Sequence, residues 1–155
     1  MKEIKLTQGK VTLVDDSDYE WLNQWKWLAH KVSGIYYAKR NICINNKRKL
    51  IGMHRVIMGT LKNMEVDHKD HDTLNNQRHN LRNCFHKQNL RNQKPNKQST
   101  SQYLGVYSNG GKFIAKIGVN GKSIYLGTKE TLEQAVILRD GAAKKYYGEF
   151  AYLNF

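Results

Sequence analysis

Proline occurs once in this chain and cysteine twice, and two long stretches carry no acid at all. Cys43 and Cys84 are isolated, with no Cys-x-x-Cys knuckle, so a cysteine-built zinc site is excluded and both read as buried or inert thiols. No apolar run approaches the roughly 20 residues that span a bilayer, which disfavours a membrane. No basic-then-apolar leader opens the chain, so secretion is unsupported and a cytoplasmic location, in a bacterial or phage-infected cell, is expected.

Acid is missing from residues 21 to 64, which hold nine Lys or Arg, and from residues 73 to 129, which hold ten. Between them stand Glu65, Asp67, Asp70 and Asp72, and the formal net charge is +13. Acid-free basic tracts suit a phosphate backbone, where each neutralised phosphate releases counterions. Charge alone would fit a generic basic protein on ribosomes or anionic lipid equally well. A burst of carboxylates inside such tracts repels DNA unless a cation lies between them, the first hint of a metal.

At 155 residues the chain has room for one domain or two small ones. Alternating runs at Ile4–Leu6 and Val11–Val14 predict strands. Ser17 and Glu20 have capping-box spacing ahead of a short helix over Tyr19–Lys26. Trp21, Trp25 and Leu28 form a stripe at helical spacing that reads as core before a base-stacking platform. Strands are expected at 27–31, 35–40 and 42–44, with turns at Ser33-Gly34 and Asn45-Asn46. Lys47-Arg48-Lys49 reads as a basic turn, either a solvated hairpin tip or a phosphate contact.

Residues 93 to 102 hold no large apolar side chain and include Pro95, which places a boundary between residues 97 and 98. Beyond it come three strand-like runs, 103–108, 112–119 and 122–127, separated by Asn109-Gly110-Gly111 and Asn120-Gly121. A helix follows from Leu132 to Tyr147 with an apolar stripe through Leu132, Ala135, Val136, Leu138, Ala142 and Ala143. The fold class expected is α+β: a nuclease-like half, then a three-stranded antiparallel sheet packed on one helix.

The segment Val66-Asp67-His68-Lys69-Asp70-His71-Asp72, continuing through Asn80-Leu81-Arg82 to Asn89, resembles the His-Asn-His endonucleases of the homing and phage-encoded kind. The likeness spans about residues 53 to 93. It implies a ββα-metal element, a general base at His68, the central asparagine at Asn80 and metal ligation by Asp67 and Asn89. It also implies products with a 5′-phosphate. His54-Arg55 resembles a pair that the family often carries upstream, with Arg55 a candidate clamp on the scissile phosphate.

The residue chemistry agrees. Histidine, with an ordinary pKa of about 6.5, is the natural base at neutral pH. An Asp-plus-Asn pair of oxygen donors, completed by water and substrate, suits magnesium or manganese. Adjacent strand residues point to opposite faces, so Asp67 and His68 can flank one phosphate only where the strand ends. Asn80 would then hold the following loop through backbone hydrogen bonds and orient His68. Asp70 and Asp72 can equally be turn formers. His71 stands where the family usually has glycine and would need a left-handed conformation. His86 is either a further ligand or a solvent-facing side chain.

Leu104-Gly105-Val106-Tyr107, Gly111–Ile117, Ile124–Thr128, Ala142-Ala143 and Leu153-Asn154-Phe155 resemble the plant ethylene-response-factor DNA-binding domain. That domain lays the open face of its sheet in the major groove. By position, Tyr107, Lys112, Lys116, Ser123 and Tyr125 would face DNA. Several of these places are arginine in the plant domains, so backbone contact gains weight over reading of guanine.

The reading is a metal-dependent endonuclease acting on double-stranded DNA, nicking as a monomer or cutting both strands as a homodimer. A non-catalytic DNA-binding regulator with a degenerate nuclease motif is the rival. An RNA-binding module lacks its aromatic signature here.

Overall fold

The computed structural model describes residues 1–95 and 101–155. It is a mixed α and β structure in which every sheet is antiparallel. By internal contacts it divides into two compact units, Met1–His86 and Lys87–Phe155. The boundary expected between 97 and 98 lies outside the described residues. Lys87–Pro95 group with the second unit because Tyr152 N–H donates to Arg91 O (3.2 Å) and the Arg91 guanidinium lies 5.0 Å from the centroid of the Tyr147 ring.

In the first unit β1 (Lys2–Lys5) pairs with β2 (Val11–Val14), followed by α1 (Asp16–Asn23). A three-stranded meander follows, β3 (Leu28–Val32), β4 (Ile35–Ile44) and β5 (Lys47–Gly52), then α2 (Met53–Met58). The last pair is β6 (Glu65–His68) with β7 (Leu81–Cys84), which leads into a helical turn α3 (His86–Asn89). Ile4, Val14, Leu22, Trp27, Met53 and Leu81 form the centre of the core.

Several local expectations are corrected. Residues 35–44 make one strand, and Lys47-Arg48-Lys49 begin β5, all three exposed; the turn is Asn45-Asn46, with φ of 51 and 58. Ser17 does not cap α1, whose N-cap is Asp15, and no side chain caps that end. The tryptophan stripe only flanks the core: Trp21 and Trp25 are half-buried, whereas Leu22 and Trp27 are buried. Cys43 is exposed, whereas Cys84 is buried, and that burial raises its thiol pKa to about 11.

The second unit is a meander, β8 (Val106–Asn109), β9 (Lys112–Val119) and β10 (Lys122–Lys129), with β9 in the centre. Asn120 and Gly121, at φ 51 and 77, supply the two left-handed residues of its second hairpin. Helix α4 (Leu132–Tyr147) covers one face, burying Ala135 and Val136 against Val106 and Ala115. Gly105 sits at φ +73, and a Cβ there would come 2.5 Å from Lys116 O, so no other residue fits.

Buried on α4 is a polar knot. Arg139, 2% exposed, donates to Asp140 (2.9 Å) and to Tyr152 O (2.6 Å). The Asp140 carboxylate in turn accepts from the Asn154 backbone, the Asn154 side chain and Phe155 N–H. This pins Leu153-Asn154-Phe155 to the helix, a role that the apolar stripe did not reveal.

Candidate functional site

Strands β6 and β7 pair Asp67 with Arg82 and His68 with Leu81, and residues 69–80 loop between them. Neighbouring elements hold that loop. Leu13 N–H donates to Leu74 O, and Asn76 N–H to Leu13 O, at 2.9 and 2.8 Å. Asp15 accepts from Gln77 and from Arg78 N–H, while the Arg78 guanidinium forks onto buried Asp18 at 2.8 and 2.7 Å. The acids at the start of α1 therefore clamp this loop.

Asn80, 3% exposed, organises the loop from inside. Its Oδ1 accepts from Asp70 N–H (3.0 Å), and its Nδ2 donates to Asp70 Oδ1 (2.8 Å) and Asn75 O (2.9 Å). Asp70 also accepts from Asp72 N–H and from Asn75. Burial alone would raise the Asp70 pKa, but these three hydrogen bonds outweigh it and hold the carboxyl below the ordinary value. Asp72 accepts from Leu74 N–H, as a turn former does. His71 adopts φ 66, the left-handed conformation that its position requires.

His68 is 6% exposed at the end of β6. Its Nε2 lies 3.4 Å from Asn76 Oδ1, while Asn76 Nδ2 donates to Thr12 Oγ1 (2.8 Å) and Thr12 donates to Leu74 O (2.6 Å). The chain of bonds has one consistent direction. The Thr12 proton goes to Leu74 O, so its oxygen accepts from the Asn76 amide, and Asn76 must present Oδ1 to His68. His68 then carries its proton on Nε2, which places the basic lone pair on Nδ1.

Burial lowers the His68 pKa, outweighing the Asn76 hydrogen bond and the Asp70, Asp67 and Asp72 charges, which raise it. The ring is therefore neutral at pH 7. Against it packs His54, edge to face at 5.3 Å, and Tyr37 packs on His54 at 6.0 Å. Burial, then the charges of His68, Arg55 and Lys39, push His54 down to about 3. A Cβ on Gly52 would meet the His54 ring at 2.7 Å, so this glycine makes room for the pair.

Three expected site residues have occupations that the sequence did not show. Asp67, 6% exposed, accepts two bonds on Oδ2 from Arg82, at 2.8 and 2.6 Å. Arg55 gives its donors to the carbonyls of Met64, Leu61 and Thr60 at 2.7, 2.8 and 3.4 Å, so its guanidinium staples the loop after α2. Asn89 is half-buried on α3 and belongs to the second unit, while Asp67 belongs to the first. His86 is exposed and contacts Glu65 at 2.9 Å. Among the described residues, no three His, Cys, Asp or Glu side chains converge as a metal-ligating group.

Thr12, Asn76 and Arg82 are the contributors missed in the sequence. Asn76 and Thr12 stand 64 positions apart, with no local pattern to link them. Arg82 had a usable signal, because two short strands joined by this loop put it opposite Asp67.

In the second unit Tyr107, Lys112, Lys116, Ser123 and Tyr125 are all exposed. Tyr125 registers with Lys116, and Ser123 with Gly118, while Ala115 and Ile117 point the other way into the core. The five thus share the open face. Lys116 lies 5.9 Å from the Tyr107 ring centroid, and Lys112 pairs with Glu130 at 2.6 Å. No helix is long and apolar enough to cross a membrane among the described residues. No protein-family model matches the sequence, and no curated protein matches it either.

Proposed function

We propose that the chain is a metal-dependent DNA endonuclease of the His-Asn-His type, with the open face of its C-terminal sheet binding the duplex. One observation carries this reading: a buried, neutral histidine is held in a single tautomer by the Asn76–Thr12 chain, beside a carboxylate, in a loop built around Asn80. A fixed tautomer suits a base, because the unprotonated nitrogen must face the water it activates.

His68 accepts the proton of the attacking water at Nδ1. Asn80 and Asn76 keep the ring and the loop from reorienting, which spares that reorganisation during the reaction. The family resemblance assigns Asp67 and Asn89 to magnesium or manganese, and a hard carboxylate oxygen fits such a cation. When bound, the metal would supply positive charge to the phosphate and to the leaving oxygen. Arg82 already half-neutralises Asp67, so tight binding is expected only once phosphate oxygens join the shell.

The fork on Asp67 and the fastening of Arg55 also favour a second reading, a non-catalytic DNA-binding regulator. Supercoiled plasmid separates the two. The endonuclease nicks or linearises it with magnesium and not with chelator. Unbroken plasmid under conditions where the protein binds it selects the regulator.

A further inference from the structure

The second unit contains a groove of about 990 Å³ that extends from Tyr107, Lys116 and Ser123 on the open face to Lys87 and Arg91. It opens where β8 begins: Lys116 N–H still bonds Gly105 O, but from Ile117 onward β9 pairs only with β10. Tyr147 on α4 closes one wall by donating to Gly118 O, and Arg91 lies over the Tyr147 ring. Helical turn α3 and the segment after it supply Lys87 and Arg91 to the same groove that Lys116 and Lys122 line.

Its lining contains no Asp or Glu. Among the described residues, none of these four cations is in an ion pair, unlike Lys112 on the same sheet. Unneutralised cations lining an open groove repel one another and attract a polyanion. Tyr107 and Ser123 at the rim add hydroxyl donors that suit phosphate oxygens.

We propose that this groove is a second nucleic-acid contact, holding the sugar–phosphate backbone of the bound duplex among Arg91, Lys87, Lys122 and Lys116. The proposal rests on the reading of this unit as a DNA binder and deepens it. It gives Lys87 and Arg91, which lie inside the sequence stretch resembling the nuclease, to the binding surface of the second unit.

The test is the salt dependence of duplex binding by the full chain, followed by fluorescence anisotropy in chelator so that no cleavage intervenes. Removing one cation that neutralises a phosphate lowers the slope of log affinity against log salt by about one. Arg91→Ala and Lys122→Ala are each expected to lower it by about one, and their combination by about two. Arg91→Lys should retain the wild-type slope. The control Lys129→Ala, at the far end of β10, should leave it unchanged. Wild-type slopes in Arg91→Ala and Lys122→Ala, with Lys116→Ala or Tyr107→Ala still weakening binding, would overturn the groove and leave the sheet face standing. An equal fall in Lys129→Ala would also overturn it, showing diffuse attraction. Absence of salt-dependent binding by the wild type would remove the DNA reading beneath it. Circular dichroism of each variant separates weakened phosphate binding from unfolding.

Discussion

Residues 66–82 and the open face of the C-terminal sheet are both rich in polar groups, and they use them in opposite ways. In the first, side chains bond to one another and to backbone: Asp70 to Asn75 and Asn80, Asp67 to Arg82, Asn76 to Thr12. In the second, Lys116, Tyr107 and Tyr125 reach solvent, and among the described residues only Lys112 has a carboxylate partner. The first is a preorganised site, costly to alter, where removal of one member leaves another buried and unsatisfied. On the proposed reading the second is a binding surface whose members act almost independently and through charge.

That contrast predicts large, coupled losses in one region and small, additive ones in the other. Asp67→Asn should cost on the order of 10²-fold or more in magnesium-supported cleavage while duplex binding in chelator is retained. Near-normal turnover would remove Asp67 from the metal site. Thr12→Val strips the hydroxyl that orients Asn76 and should destabilise the fold by about 1–3 kcal/mol, as read in denaturant. Its cleavage should fall with KM unchanged, as expected of a positioning residue; unaffected cleavage would break the link from Thr12 to His68.

His54 gives the contrast a pH signature. Its folded pKa of about 3 lies below the ordinary 6.5, so the unfolded chain binds the proton more readily. The contribution is fully present above pH 6.5 and is lost as pH falls toward about 3. His54→Gln should therefore flatten the decline of stability across that window relative to wild type. Identical acid-unfolding profiles would show that His54 is not buried and neutral. The smallest effect belongs to the sheet. Lys116→Ala should lower the salt slope of binding by about one, and Lys112→Ala by less, because Glu130 already pairs with it. Equal slopes would show that this ion pair opens on binding.

Much of the scaffold was legible because periodicity and turn chemistry are local. Val11–Val14 and the Leu132–Tyr147 helix have the expected bounds, and the Asn120-Gly121 turn has the expected left-handed pair. His68, Asn80 and the His71 conformation were also reachable, since the loop and its asparagine lie within a few turns of chain. What escaped depends on distance. The Thr12 hydroxyl could be read as an ordinary strand residue, and its role appears only when β2 runs beside the loop. Arg55 escaped for another reason: sequence shows a cation, but not that three nearby carbonyls are there to take its protons. Lys47-Arg48-Lys49 misled because the Asn45-Asn46 turn alone reverses the chain, leaving all three lysine and arginine side chains on a strand.

The most direct test of the central claim compares His68→Ala with wild type on supercoiled plasmid in magnesium, with duplex affinity measured in chelator on the same samples. A fixed, neutral base beside Asp67 predicts a loss of about 10²-fold or more in nicking rate with affinity unchanged. Nicking by His68→Ala within a few-fold of wild type would contradict it, and the buried histidine with its Asn76–Thr12 chain would then be a packing device.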